Sequence, residues 1–121
     1  MYRYADVLLS KAEAIANSGT PNAAAMQLVN QVRSRANLPG KLLSNYATLP
    51  LFNDLILLER SHEFWCENGQ YRADLIRHGK FVSRCIEVEG SAFTGPNKVV
   101  YPFSLKAVSE GKGKFIQNPG Y

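Results

Sequence analysis

The chain has 121 residues, 45% of them hydrophobic and 20% charged, the balance of an ordinary globular domain. That composition excludes a disordered, fibrous or membrane-embedded polypeptide. Fourteen basic against ten acidic residues give a net charge of +4, and the basic positions are scattered without interleaved aromatics, which argues against nucleic-acid binding.

The opening stretch, MYRYADVLLSKAEA, carries Asp6, Lys11 and Glu13 where a signal peptide needs an unbroken apolar run. It reads as a helix already under way, from Tyr2 to about Asn17, and a chain that starts in mid-structure is expected to be a piece of something longer. Tyr4, Leu8, Ala12 and Ile15 form its apolar stripe, with Val7 alongside. Gly19 suits the left-handed position after a helix end. Thr20 is placed to cap a second helix, with Pro21 at its first position, running to about Arg35 with Ala25, Leu28, Val29 and Val32 inward. The short connection predicts an antiparallel hairpin over 1–36. It has the size of one tetratricopeptide-type unit, with Ala12 and Ala24 near the crossing, although no second copy follows at that family's period of about 34 residues.

From Asn37 to Pro50 the periodicity disappears, and Pro39-Gly40 marks a turn. A third helix is expected from about Leu51 to Asn68, with Leu51, Leu55, Leu58, His62 and Trp65 on one side. Gly69 ends it, and a short fourth helix spans about Arg72 to His78 before Gly79. Beyond Lys80 the pattern weakens, and Glu87 to Lys98 reads as an exposed loop. Ser104 to Val108 makes one helical turn. The expected architecture is all-α and a single domain over 1–121, with a charged helix pair at 51–79 and an irregular tail at 80–121. Cys66 and Cys85 are too few for a disulfide scaffold. They read as two buried thiols packing as small hydrophobes rather than as one bridge.

The densest charge falls around the bend at Gly69. Glu59, Glu63 and Glu67 recur every fourth residue and share one strip of the third helix, where like charges repel unless cations lie against them. Arg72 and Arg77 beyond the bend are the expected source of those cations. With Arg60 and Asp74 they complete a structural ion-pair network of Glu59, Arg60, Glu63, Arg72, Asp74 and Arg77. The competing reading is a carboxylate pair for acid–base chemistry on sugars. That needs one neutral acid, whereas adjacent guanidiniums favour the ionised form of every carboxylate. The clamp is therefore preferred and no catalytic residue is assigned. Glu59 with His62 has the spacing of a di-metal motif but lacks its second copy, and His62-Glu63-Phe64-Trp65-Cys66 departs from HExxH at its final position. His62 reads instead as a core or boundary residue, and no metal or cofactor is expected. Among rings on loops, Tyr46 and Phe93 are candidates to stack on a sugar.

Three segments in order, RYADVLLSKAEA, ERSHEFWCENGQYRADLIRHGKF and VVYPFSLKAVSEGKGKFIQNPGY, resemble the carboxy-terminal portion of the SusD/RagB family, and QVRSRANLP between the first two fits as well. The resemblance implies a mainly helical, tetratricopeptide-like scaffold within a much longer, lipid-anchored protein exposed on the bacterial outer membrane. It implies a non-catalytic role in capturing oligosaccharides for a SusC-like TonB-dependent transporter. The lipid anchor would lie outside this chain, since neither cysteine follows a signal sequence. The sugar-contacting residues of such proteins generally come from loops outside this portion, which leaves the charged motif structural. A helical-repeat module gripping a peptide and a hydrolase using Glu59 or Glu63 are the alternatives.

Overall fold

The computed structural model describes residues 3–67, 69–90 and 95–121. Tyr2 and Asn68, expected to bound the first and third helices, and Phe93 with its neighbours in the expected loop lie outside those residues. The chain divides into two compact units, Met1–Tyr71 and Arg72–Tyr121, where the sequence reading draws one domain. Among the described residues the secondary structure is helical, with no strand.

In the first unit, α1 (Tyr4–Asn17) packs against α2 (Ala23–Arg35) and α3 (Leu49–Glu63). Leu9, Ala12, Ala16, Ala25, Val29, Phe52, Leu55 and Ile56 meet at the centre, all essentially excluded from solvent. The alanines let the helices approach closely, while Phe52 and Leu55 fill the space between them. The hairpin arises as expected, with differences at its turn: Gly19 does not adopt the left-handed backbone expected of it. Asn22, not Thr20, caps α2, its side chain accepting from Ala25 N–H at 3.0 Å, and Pro21 precedes the helix. Ala25 rather than the exposed Ala24 sits at the crossing.

The end of α2 fixes the chain that follows. Asn37 N–H donates to Ser34 C=O and Leu38 N–H to Arg33 C=O, both at 3.0 Å, with Asn37 at φ 55°. This is the double closure of a Schellman end, with Asn in the left-handed position. Asn30 then clasps the returning strand of chain, donating to Lys41 C=O at 3.0 Å and accepting from Lys41 N–H at 2.7 Å. A 3-10 turn at Leu43–Tyr46 leads into α3. Tyr46, a candidate stacking ring, is half-buried against the core.

Two helix faces differ from expectation. On α1 the buried set is Asp6, Leu8, Leu9, Ala12, Glu13 and Ala16, and Tyr4 and Val7 point to solvent. On α3 it is Phe52, Leu55, Ile56, Leu57, Glu59 and Arg60, whereas Leu51, Leu58, Trp65 and His62 are exposed. In both helices charged residues enter the interior, Asp6, Glu59 and Arg60 as ion pairs, and displace apolar ones outward. A hydrophobic stripe reads such a face with the wrong rotation.

The second unit contains α4 (Gln70–Arg77), which begins just before the division, α5 (Phe81–Glu89) and α6 (Leu105–Glu110). Gly79, at φ 67°, closes α4 with the same double bond pattern: Gly79 N–H to Ile76 C=O at 2.9 Å and Lys80 N–H to Leu75 C=O at 2.8 Å. Helix α5 was not expected from the sequence. Val82, Ile86 and Val88 lower its intrinsic propensity, and its packing against the 3-10 turn Pro96–Val99 supplies what local preference does not. The loop expected at Glu87 to Lys98 accordingly begins three residues later, at Gly90, and Ser104 caps α6 by accepting from Ala107 N–H at 3.1 Å.

The tail has no ladder of its own and is held by side chains. Gln117 accepts from Phe103 N–H at 2.8 Å and donates to Phe103 C=O at 2.9 Å, as a backbone unit of a neighbouring strand would. Asn118 donates to Tyr101 C=O at 2.6 Å and the Tyr121 hydroxyl to Val100 C=O at 2.9 Å. Gly120, at φ 88°, lies so close to Asn97 that a Cβ would fall 2.6 Å from its amide nitrogen, so both conformation and space require glycine there.

Candidate functional site

The charged residues singled out by the sequence occupy two places. In the first unit, α3 presents Glu59, Arg60 and Glu63 inward, and each has a partner drawn from far along the chain. Arg33 Nη1 donates to Glu59 Oε1 at 2.5 Å, with both side chains under 10% exposed. Arg33 Nε also donates to Pro39 C=O at 2.8 Å, which ties the turn after α2 to the same ion pair. Arg60 Nη1 donates to Asp6 Oδ1 at 2.7 Å, again a buried pair, and to Ser10 Oγ at 3.2 Å.

Glu63 lies between two guanidiniums. Arg3 donates to its Oε1 through one terminal nitrogen, and through the other to its carbonyl and to Glu67 Oε1, both at 2.8 Å. Arg35 Nη2 reaches both carboxylate oxygens at 2.7 Å. Phe64, buried at 2% exposure, has the Arg3 and Arg60 guanidiniums 5.5 and 5.2 Å from its ring centre. The ring faces thus receive the cations that the carboxylates orient.

The cations on Glu59 and Glu63 are therefore Arg33, Arg3 and Arg35, not the expected Arg72 and Arg77. Those three were missed because their partners lie 26 to 60 residues away, beyond any local spacing rule. The signal available was Arg33 and Arg35 in the last turn of α2, which the sequence reading leaves among the scattered basic positions.

In the second unit Arg72 serves the backbone. Its Nη2 donates to Lys98 C=O at 3.2 Å and Val99 C=O at 2.8 Å, and its guanidinium lies 4.8 Å from the Phe81 ring centre and 4.1 Å from that of Tyr101. One planar cation so joins α4, α5 and the segment after Pro96–Val99. Asp74, buried at 5%, accepts from Arg77 Nη2 at 2.9 Å within α4. Lys98 Nζ sits 3.8 Å from the Tyr121 ring centre.

Neither cysteine is bridged; Cys85 is half-buried, but Cys66 is exposed at φ 59°, in contrast to the expected pair of buried thiols. Among the described residues no group of three or more His, Cys, Asp or Glu is arranged to hold a metal ion, and no helix is long and apolar enough to cross a membrane.

One concavity opens beside the ion pairs, between the start of α1 and the end of α2. It has a volume of about 290 Å³, with Arg3, Tyr4 and Leu8 on one wall and Gln31, Val32 and Arg35 on the other. Leu8 and Val32 are its buried floor, and Tyr4, 69% exposed, stands at its rim.

A hairpin of close-packed helices, a third helix locked to it by buried guanidinium–carboxylate pairs, and a tail laced by side-chain amides define a helical scaffold. The model of the SusD family matches residues 1–121, and the chain belongs to that family. It is 32% identical over 130 residues to the SusD-like protein P38 of Formosa agariphila, covering 100% of this chain and 24% of that protein. Surface glycan-binding protein A from Bacteroides thetaiotaomicron has a similar solved structure, with a TM-score of 0.74 and 31% identity over 98% of this chain and 24% of its own. The chain thus spans about a quarter of the length of these relatives.

Proposed function

We propose that the protein is a non-catalytic, surface-exposed glycan-binding protein of the bacterial outer membrane. It captures oligosaccharides and hands them to a SusC-like TonB-dependent transporter, and this chain forms part of its helical scaffold. The observation that carries glycan capture is the shared fold and 31% identity with a surface glycan-binding protein over 98% of this chain. Membrane attachment comes from a lipid anchor elsewhere in the protein.

Support for the absence of turnover comes from the carboxylates. Glu59 and Glu63, the acids a hydrolase would use, are each clasped by guanidinium. A general acid must face a leaving group, whereas Glu63 has both oxygens on arginine and Glu59, buried, has its Oε1 there. Glu59, Arg60, Glu63, Arg72, Asp74 and Arg77 act as structural residues in this reading. They hold helices and backbone in place rather than touching ligand.

The test is affinity electrophoresis of the intact protein in gels containing a panel of glycans, with chromatography of the glycan after incubation. Retardation without shortened products is the expected result. Released oligosaccharides that disappear in Glu59→Gln or Glu63→Gln would establish a hydrolase instead. Co-purification with a TonB-dependent transporter from solubilised outer membranes tests the partner.

A further inference from the structure

We infer that the concavity between α1 and α2 is a binding subsite for a single uncharged sugar ring. Its volume of about 290 Å³ lies at the small end of ligand pockets, suited to one ring rather than an extended chain. That ligand class follows only if the protein captures glycans, as proposed above.

The walls supply the contacts a pyranose needs. Tyr4 offers an exposed aromatic face at the rim for the apolar C–H side of a sugar ring. Gln31 is exposed on the opposite helix, and its amide both donates to and accepts from hydroxyls. Arg35 uses only Nη2 on Glu63. Its Nε and Nη1 have no partner among the described residues, and its side chain is 61% exposed. Those N–H groups are directional donors held in a fixed orientation by the bond to Glu63. The floor of Leu8 and Val32 is buried and apolar.

Charge decides the class of sugar. The two guanidiniums of the walls are matched by Glu63 and Glu67, so the concavity carries no surplus cation to neutralise a carboxylate or sulfate. An acidic sugar would be desolvated without compensation, whereas a neutral one loses only hydroxyl hydration that Gln31 and Arg35 replace.

The experiment is titration calorimetry of the intact protein with neutral gluco-, galacto-, manno- and xylo-oligosaccharides and with oligogalacturonate, for wild type, Tyr4→Ala, Tyr4→Phe and Gln31→Ala. Tyr4 is exposed, so its variants leave the core intact; circular dichroism checks this. At least one neutral oligosaccharide is expected to bind, about tenfold more weakly in Tyr4→Ala and unchanged in Tyr4→Phe. Binding should change less than about twofold between 0.05 and 0.5 M salt. Wild type binding no sugar of the panel, neutral or acidic, overturns this subsite together with the capture reading. Wild-type binding that Tyr4→Ala and Gln31→Ala leave untouched overturns the subsite alone. Preferential, salt-sensitive binding of oligogalacturonate overturns the uncharged ligand class.

Discussion

The two units reach order by different means. The first builds a dry centre from three helices, with Leu9, Ala12, Ala16, Ala25, Val29, Phe52 and Ile56 at 0% exposure and two buried ion pairs around it. In the second, Leu75 is the buried hydrophobic residue among those described, while Leu105 and Ile116 are exposed above 80%. Its order comes from Arg72 stacking, from Gln117 and Asn118 bonding to backbone, and from glycines at positive φ. Burial that is cooperative resists local opening; bonds at a wet surface do not. Amide hydrogen exchange should therefore find the slowest amides in α1, α2 and α3, with α5, α6 and the tail exchanging well before global unfolding. Equal protection in both units would erase the distinction.

The largest effects should fall on the first unit. Phe52→Ala removes a fully buried ring and should cost about 3–5 kcal/mol in urea unfolding followed by circular dichroism. Arg33→Ala strands Glu59 in the interior and should cost a similar ~3–5 kcal/mol. The double variant Arg33→Met with Glu59→Leu should recover most of it, because replacing both charges leaves none unpaired. A double variant as unstable as the single would mean that the pair acts through packing alone.

Arg72→Ala should cost less, about 1–2 kcal/mol, since its rings and carbonyls are partly solvated. The loss should appear as faster exchange in α5 and the Pro96–Val99 turn. Arg72→Lys should recover little, because an ammonium cannot lie flat between Phe81 and Tyr101. Smaller still, Asn37→Ala should cost about 1 kcal/mol for its left-handed backbone, whereas Asn37→Gly should be neutral or mildly stabilising. Leu58→Ala, exposed at 46%, should change stability by under about 0.5 kcal/mol. A large loss there would restore the helix face drawn from hydrophobicity.

Helix existence was legible because its signals are local. Gly79, the Ser104 cap and the alternation of α2 each act within a few residues. Helix α5 was not, because β-branched residues between two glycines read as irregular until something packs on them. The rotation of α1 and α3 was lost for a sharper reason. Asp6, Glu59 and Arg60 are inside, and their burial depends on partners contributed by other helices.

The candidate site divides along the same line. Sequence spacing put Glu59 and Glu63 on one strip of α3 and required cations against them, because like charges four residues apart repel; Glu67, expected on the same strip, lies beyond the helix, which ends at Glu63. Which cations answered was settled only when the chain folded, since Arg3 and Arg35 reach Glu63, and Arg33 reaches Glu59, across separations no periodicity encodes. The local order of the chain determined its family and every helix but α5, because caps and periodicity act within a few residues; the long-range pairing of buried charge decided which faces of α1 and α3 turned inward.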